Sequence, residues 1–297
     1  MIERQDSETA IRLTNVSCMP GRGSGTPILR ELSLHVRCGE WVSVVGRNGS
    51  GKSTLMRLMA GLIPAVSGTI EIGGLTLSPD TLWQARESIG LVFPNPDNQF
   101  VGMTVEDDIA FGLENRQLGR PEMRERVHTY ARLMDVHELL DRHPAQMSGG
   151  QKQRAALAGA LALQPSILLL DEVSSMLDEL SKQALLKLLH RLRSESDRGL
   201  TIIAVTHDAD EMAASDRLIA LHEGTVYADG RPDELLMRQD LLDACRIEPP
   251  YAMQLREALR RRGIEIGECL TLEEARNAIW AYNSKASTIG MKTAEPR

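Results

Sequence analysis

The stretch Gly46-Arg47-Asn48-Gly49-Ser50-Gly51-Lys52-Ser53-Thr54 decides the fold of this chain. It follows an apolar predicted strand, residues 40–45, and precedes a predicted helix, residues 52–61. It matches the phosphate-binding P-loop pattern in the strand-to-helix context that this pattern requires. Glycines allow a tight loop in which backbone N–H groups and the helix N-terminus face phosphate oxygens. The competing interpretation is a glycine-rich turn between a strand and a helix.

Four side chains are candidates for nucleotide chemistry. We expect Lys52 to reach the β- and γ-phosphates and Ser53 to offer its hydroxyl to Mg²⁺. Asp171 and Glu172 follow the apolar strand 167–170, and ligands of parallel sheets lie at the carboxyl ends of strands. We therefore expect Asp171 to hold Mg²⁺, directly or through water, and Glu172 to act as general base. Taken alone, such an acidic residue is equally well explained as a helix cap.

The composition is that of a folded protein with one large domain, or a main domain and an appendage. Of the 297 residues 42% are hydrophobic and 25% charged, and the formal net charge of -7 argues against a nucleic-acid partner. No apolar run approaches the ~20 residues of a membrane span, and the polar N-terminus predicts no secretory signal. The cysteines are scattered without zinc-site or disulfide spacing, which favours a reduced cytosolic setting. They are Cys18, Cys38, Cys245 and Cys269.

Hydrophobic periodicity predicts an α/β core interrupted by helices. The predicted strands are residues 11–16, 32–36, 40–45, 67–77, 88–93, 167–170, 201–205 and 217–222. Residues 104–163 show helical periodicity, with breaks at 119–121 and 143–144. Strands and helices then alternate, which indicates parallel strands with crossover helices. Short helices follow from about residue 233, where the Arg-rich stretch 256–262 fits a dimer contact or, as we favour, a solvated helix face.

A second glycine motif, Met-Ser-Gly-Gly-Gln-Lys-Gln-Arg at residues 147–154, precedes a helical stretch. Ser148 can cap that helix while the glycines bare its first N–H groups. With this motif the chain resembles an ATP-binding cassette ATPase, whose signature is Ser-Gly-Gly-Gln; the matching residues are Ser148, Gly149, Gly150 and Gln151. In that family each ATP lies between the P-loop of one subunit and the signature of another, so the resemblance implies a dimer. A Ser-capped helix with flexible glycines is the simpler alternative.

The resemblance implies two further site residues, the cofactors and the fold. Asp178 resembles the family's Asp that contacts the opposite subunit, and His207 resembles the histidine that links the γ-phosphate to the catalytic base. A lone histidine at a strand end is otherwise more often structural. The implied cofactors are ATP and Mg²⁺. The implied fold is an α/β P-loop NTPase of the cassette type, with a mixed sheet core and an antiparallel β subdomain. We place this domain at residues 1–235, its helical subdomain at about 95–165, and a helical appendage at 236–297.

Residues 93–101 and 104–115 are similar to the ATPase subunits of energy-coupling factor transporters, which import vitamins or transition-metal ions. This likeness spans about residues 11–235. It implies a second cassette ATPase, with a paralogue favoured over a homodimer, a transmembrane coupling subunit and a membrane substrate-binding subunit. It also implies a peripheral position at the cytoplasmic face of the cell membrane. The alternatives are an ATP-binding regulatory or structural subunit with little hydrolysis, and a soluble cassette protein that acts on ribosomes or DNA.

Two positions depart from the family pattern. Pro94 stands where the family usually has a Gln that senses Mg²⁺ and the attacking water, and proline offers neither an amide oxygen nor an N–H. Gln99 lies at a position where the family has its own Gln, so it is no evident replacement. We expect Pro94 to make the two ATP sites of a dimer unequal. Met19 lies where many cassettes have an aromatic residue that stacks on adenine, which predicts weaker nucleotide binding.

Overall fold

The computed structural model describes residues 9–20, 25–195 and 199–291. The N-terminal residues 1–8, on which the prediction about a secretory signal largely rests, lie outside the described residues. Residues 21–24, which lie between the first two predicted strands, are outside them as well.

The ten strands that the structure describes form two sheets, as the predicted mixed core and antiparallel subdomain require. In chain order they are β1 (Thr9–Cys18), β2 (Leu29–Arg37), β3 (Trp41–Val45), β4 (Ser67–Ile72), β5 (Leu75–Thr76), β6 (Ile89–Val92), β7 (Ile167–Asp171), β8 (Thr201–Val205), β9 (Arg217–His222) and β10 (Thr225–Gly230). The smaller sheet is antiparallel in the order β2-β1-β4-β5. The larger has the order β10-β9-β3-β8-β7-β6 and is parallel except for its β10 edge.

The central strands of the larger sheet position the candidate site. Every residue of β3, β7 and β8 is buried, as expected for apolar strands covered on both faces. Val44 pairs with Val205 across β3 and β8, and Asp171 pairs with Val205 across β7 and β8. The carboxyl ends of these three strands therefore lie side by side, and the residues that follow them share one edge of the sheet.

The described helices, in chain order, are α1 (Lys52–Met59), α2 (Leu82–Glu87), α3 (Val105–Asn115), α4 (Arg120–Leu133), α5 (Gly149–Ala162), α6 (Glu179–Glu195), α7 (Ala209–Ala214), α8 (Pro232–Leu235), α9 (Gln239–Cys245), α10 (Tyr251–Arg260) and α11 (Leu272–Met291). Thr104 and Asp107 form a capping box at the start of α3, and Pro121 lies in the first turn of α4. The predicted break at 119–121 is confirmed. Helices α3, α4 and α5 pack through a shared apolar core that includes Ile109, Val127 and Leu157.

Two elements were absent from the sequence prediction. Helix α2 has six residues and buries only Ala85, so it offers too few turns for a helical period to be read. Strand β10 is the sheet edge, and its exposed residues lack a clear apolar alternation. It pairs with β9 through a hairpin at Glu223 and Gly224, which both have positive φ. The Gly224 signal was available in the sequence and was missed.

The residues after α8 pack in two places. Leu241 and Cys245 of α9 pack in one apolar core with Val45 of β3 and Met212 of α7. A smaller cluster of Ala252, Cys269 and Ala275 holds α10 and α11 together. The guanidinium groups of Arg260 and Arg261 are exposed and pair with Glu257 on their own helix, which fits a solvated face.

None of the four cysteines, all of which lie within the described residues, forms a disulfide. Among the helices that the structure describes, none is long and apolar enough to cross a membrane.

Candidate functional site

The loop between β3 and α1 is shaped by three glycines. Gly46, Gly49 and Gly51 have φ values of 145°, 84° and 104°, a region that side chains disfavour. A Cβ atom at Gly46 would lie 2.2 Å from the carbonyl oxygen of Leu221, and one at Gly51 would lie 2.5 Å from the Leu29 side chain. Gly46 and Gly51 therefore require glycine for both backbone conformation and space, and Gly49 for conformation alone, since a Cβ there would meet nothing within 4 Å.

The start of α1 suits a phosphate group. Gly51 supplies no side-chain cap, and the first turn contains no acidic residue, so the first N–H groups remain available to an anion. Lys52 is buried, and its Nζ donates to the carbonyl oxygens of Gly46 at 2.8 Å and Arg47 at 3.2 Å. Burial lowers the pKa of Lys52, while the carboxylates of Glu172 and Asp171 oppose this shift. The cation is thus held across the loop at the place where phosphate oxygens would lie.

Ser53 and Asp171 form the candidate magnesium site. Ser53 Oγ donates to Asp171 Oδ1 at 3.3 Å, which joins the start of α1 to the end of β7. Burial raises the pKa of Asp171, and the hydrogen bond from Ser53 opposes that effect. A hydroxyl and a carboxylate are the hard oxygen ligands that Mg²⁺ accepts beside phosphate and water. Within the described ranges, no group of three or more His, Cys, Asp or Glu side chains could hold a metal ion. The Ser53 hydroxyl and the Asp171 carboxylate fit a Mg²⁺ ion that would take its other ligands from nucleotide and water.

Glu172 and His207 meet across the ends of β7 and β8. Glu172 has a left-handed conformation, with φ 51° and ψ 37°, and its N–H donates to the Val205 carbonyl oxygen at 2.9 Å. Its Oε1 lies 3.2 Å from His207 Nε2, and both side chains are partly exposed. The strained backbone and the hydrogen bond to β8 direct the carboxylate toward the histidine. Sequence reasoning identified both residues, and the structure brings them together.

The second glycine motif forms a capped helix start at the surface. Ser148 Oγ accepts the Gln151 N–H at 3.3 Å, and Gln151 Oε1 accepts the Ser148 N–H at 2.9 Å, which completes a capping box. Gly150 lies against the backbone of Met176, since a Cβ there would be 3.2 Å from the Met176 oxygen. In the described chain, no hydrogen bond or ion pair joins residues 148–151 to residues 46–54. Helix α1 packs in one apolar cluster, through Leu55, and α5 in another, through Leu157, so the two glycine motifs begin helices of separate cores.

Asp178 is an exposed helix cap in the single chain. Its Oδ1 accepts the Ser181 N–H at 2.8 Å at the start of α6, and hydrogen bonds from Ser181 lower its pKa. The predicted contact with an opposite subunit remains a prediction.

Both polar atoms of the Gln99 side-chain amide form hydrogen bonds with the backbone, one with Leu91 of β6 and one with Phe93, the residue after β6. Gln99 Oε1 accepts the Phe93 N–H at 3.2 Å, and Gln99 Nε2 donates to the Leu91 oxygen at 3.3 Å. Gln153 Nε2 of α5 donates to the Phe93 oxygen at 3.3 Å. The segment before Pro94 is therefore held by two glutamines, and Gln99 is not free to replace an amide at position 94.

Sequence reasoning missed one buried acidic residue near the site. Glu211 on α7 is only 6% exposed, and burial raises the pKa of its carboxyl group. It lies four residues after His207, in the first turn of α7, and this spacing was the available signal.

Comparisons with known proteins agree with this geometry. Residues 29–175 match the ABC transporter family. The energy-coupling factor transporter ATP-binding protein EcfA1 of Streptococcus mutans is 44% identical over 280 residues, which cover 94% of this chain and 99% of that protein. EcfA1 of Bacillus licheniformis is 42% identical over 283 residues, with the same coverage.

Solved structures show the same fold. CbiO1 from Clostridium perfringens, part of the ABC transporter complex cbiONQ, is 30% identical with a TM-score of 0.71, over 86% of this chain and 98% of that one. A dimeric ATP-binding cassette in a post-hydrolysis state, bound to ADP and Pi, is 30% identical with a TM-score of 0.69, over 75% and 98%. The chain therefore belongs to the ATP-binding cassette ATPases, in the family of energy-coupling factor transporter ATP-binding proteins. The resemblance inferred from the residues is confirmed.

Proposed function

We propose that this chain is the ATP-hydrolysing subunit of an energy-coupling factor importer that takes up a vitamin or a transition-metal ion. One observation carries the hydrolytic part of the proposal. Lys52, the Ser53–Asp171 pair and the Glu172–His207 pair lie together at the carboxyl ends of β3, β7 and β8. Phosphate binding, metal binding and activation of water each have candidate side chains at this edge.

The proposed roles follow from the geometry. The loop N–H groups and Lys52 hold the phosphates, while Ser53 and Asp171 would hold Mg²⁺, which would supply positive charge to the transferred phosphoryl group. Glu172 accepts a proton from the attacking water as the water oxygen bonds to the γ-phosphorus and the bond to the ADP oxygen breaks. His207 fixes the Glu172 carboxylate and contacts the γ-phosphate. The 3.2 Å distance between His207 Nε2 and Glu172 Oε1 supports this pairing.

The separation of the two glycine motifs supports a head-to-tail dimer of cassettes. Each ATP would lie between residues 46–54 of one chain and residues 148–151 of the other, with Asp178 at the contact between them. We favour a paralogous cassette as the second chain. A transmembrane coupling subunit and a membrane substrate-binding subunit complete the proposed complex at the cytoplasmic face of the membrane. In this proposal residues 1–235 form the cassette domain and residues 236–297 a helical appendage.

Turnover and nucleotide trapping test the hydrolytic role. Glu172→Gln keeps the size and hydrogen bonding of the side chain but cannot accept the proton, so kcat should fall about 100-fold or more. ATP should remain bound in the variant after removal of free nucleotide. Near-normal hydrolysis by Glu172→Gln would exclude Glu172 as the base.

Copurification tests the transport role. The tagged chain should be purified from detergent-solubilised membranes of its own cells and its partners identified by mass spectrometry. The proposal expects a second cassette together with integral membrane proteins. Recovery of homodimeric cassettes alone from a transport-active preparation would contradict the proposal that the second cassette is a paralogue. Recovery with ribosomes would contradict the transport role.

The engaged side chain of Gln99 favours a second candidate function, an ATP-binding subunit with little turnover. With Pro94 in place of glutamine, no amide at this position meets the water or the metal. Pro94→Gln should raise the steady-state ATPase rate about threefold if the chain is a slowed hydrolase. If the native chain hydrolyses ATP no faster than background and only Pro94→Gln restores hydrolysis, the second candidate is favoured.

A further inference from the structure

An ion pair joins the two segments that follow Glu172 and His207 in the chain. Lys182 Nζ of α6 lies 2.9 Å from an oxygen, Oδ2, of Asp208, the residue directly after His207. The two side chains are 25% and 22% exposed, so water screens this pair less than it screens an open surface pair. The proposed reaction uses neither side chain. The pair therefore holds together two segments that leave the candidate site from different strands.

Asp208 is also fixed by its other polar groups. Its N–H donates to Thr206 Oγ1 at 2.9 Å. Its Oδ1 accepts the N–H of Asp210 at 3.0 Å and that of Glu211 at 3.3 Å, which caps the start of α7. One carboxylate oxygen thus holds α7 while the other pairs with Lys182 of α6.

His207 lies between two anchored residues. On one side, the Thr206 N–H donates to the Val44 oxygen of β3 at 3.3 Å. On the other side, Asp208 is held by α6. The His207 Nε2 lies 3.2 Å from Glu172 Oε1, so a movement of Asp208 would displace the imidazole from this carboxylate.

Lys182 itself is fixed in the first turn of α6, which begins after Asp178. The Lys182 N–H donates to the Asp178 oxygen at 2.9 Å, and Asp178 Oδ1 accepts the Ser181 N–H at 2.8 Å. The chain from Glu172 to Lys182 is only ten residues long. The ion pair therefore links the segment that carries the proposed base to the segment that carries the histidine.

We propose that Lys182 is a positioning residue that holds His207 against Glu172 through its ion pair with Asp208. This inference rests on the proposed hydrolytic function of the same site. Loss of the ammonium group leaves the Asp208 carboxylate in a partly buried place without its cation, and releases α6 from the residue next to His207. Displacement of a catalytic group by about 1 Å is enough to lower turnover strongly.

Three variants separate positioning from general destabilisation. Lys182→Met removes the ammonium group and keeps the unbranched apolar chain. Its kcat should fall about tenfold while the Kd for ATP changes less than about twofold, because the phosphate-binding groups of α1 are untouched. Lys182→Arg restores a cation that can pair with a carboxylate, so its kcat should lie within about threefold of the native value. Lys187→Met is the matched control, since Lys187 is an exposed lysine on the same helix, and it should leave kcat and Kd unchanged.

A double-mutant cycle tests whether the ion pair itself carries the effect. Asp208→Asn keeps an oxygen that can cap α7 but loses the negative charge, and its kcat should also fall about tenfold. The double variant Lys182→Met/Asp208→Asn should be about as slow as either single variant, because both changes remove the same interaction. A fall of about a hundredfold in the double variant, the product of two independent effects, would contradict the inference.

A spectroscopic readout reports on His207 directly and requires no hydrolysis. The imidazole resonances of His207 in histidine-labelled protein, assigned with His207→Ala, should shift in Lys182→Met and return in Lys182→Arg. They should not move in Lys187→Met. A fall in kcat without movement of the His207 signals, or a Lys182→Met variant with native kcat, would overturn the inference. If the native chain fails to hydrolyse ATP, the proposed function fails, and the resonances still decide whether Lys182 positions His207.

Discussion

Helices α1 and α5 both begin at glycine-rich turns, but their first residues are arranged differently. The start of α1 has no side-chain cap, and its Lys52 is buried beside the carboxylates of Asp171 and Glu172. The start of α5 is exposed and closed by the reciprocal hydrogen bonds of Ser148 and Gln151. A phosphate at α1 would meet N–H groups, a cation and metal ligands from one chain. An anion at α5 would meet little else from the described part of this chain. We therefore expect the start of α1 to bind ATP within one chain and the start of α5 to contact the ATP of a partner chain.

The largest effect is expected from Lys52→Ala, because this substitution removes the cation of the α1 start. The value of kcat/KM for ATP should fall about 1000-fold, since a buried charge facing the phosphates contributes in both the ground state and the transition state. ATP affinity should fall as well, which titration calorimetry on the isolated chain would measure.

Lys187→Ala is the control for Lys52→Ala, because Lys187 is an exposed lysine on α6. This variant should retain native ATP affinity and turnover. The loss in Lys52→Ala can then be attributed to the position of that lysine and not to the removal of one positive charge. Equal effects of the two substitutions, or native ATP affinity in Lys52→Ala, would contradict the assignment of α1 as the binding half-site.

The next largest effect is expected at the start of α5, where a substitution should lower turnover without weakening the binding of ATP to the isolated chain. Gly149→Asp places an anion at a helix N-terminus, which favours the helix but repels a phosphate. The space permits it, since a Cβ at Gly149 would lie 3.4 Å from the Met176 sulfur. We expect kcat to fall about 100-fold while the Kd of the isolated chain for ATP changes less than about twofold.

Gly149→Ala is the matched control for the charge introduced by Gly149→Asp. It adds the same Cβ without the carboxylate and should retain turnover within about fivefold. A loss of ATP affinity by the isolated Gly149→Asp chain would break the division between α1 and α5, because it would place the second motif in the chain's own binding site.

The sequence predicted most of what surrounds α1. Its loop glycines, the apolar strands β3, β7 and β8, and the polar residues at their ends were all visible, because each is a local pattern of spacing and residue type. Parallel pairing then brings those strand ends together, so Asp171 and Glu172 followed from the apolar strand before them, whereas His207 was implied by the family resemblance. The mixed sheet and the helices between β6 and β7 were also predicted correctly.

What the sequence did not reveal depends on burial and on long-range pairing. Glu211 looks like a surface residue of a six-residue helix, and only the packing of α7 shows that it is buried. The engagement of Gln99 by Leu91 and Phe93 likewise needs the fold of the loop after β6. Strand β10 gains its stability from β9 rather than from its own side chains. No local sequence pattern marks these residues, because the contacts that matter come from segments far apart in the chain.

The smallest effect should come from the edge of the α1 half-site, where Met19 follows β1. The Ile28 N–H donates to the Cys18 oxygen at 2.8 Å, and the adjacent Leu29 packs close to Gly51, so the end of β1 and the start of β2 border the phosphate loop. Met19→Tyr adds a ring that can stack on adenine and should tighten ATP binding up to about tenfold, from roughly 0.5 to 1.5 kcal/mol of stacking. Met19→Leu keeps the apolar volume without the ring and should leave affinity unchanged. Equal affinities of Met19→Tyr and the native chain would show that a ring at position 19 does not stack on adenine, and would contradict the predicted weakening of nucleotide binding by Met19.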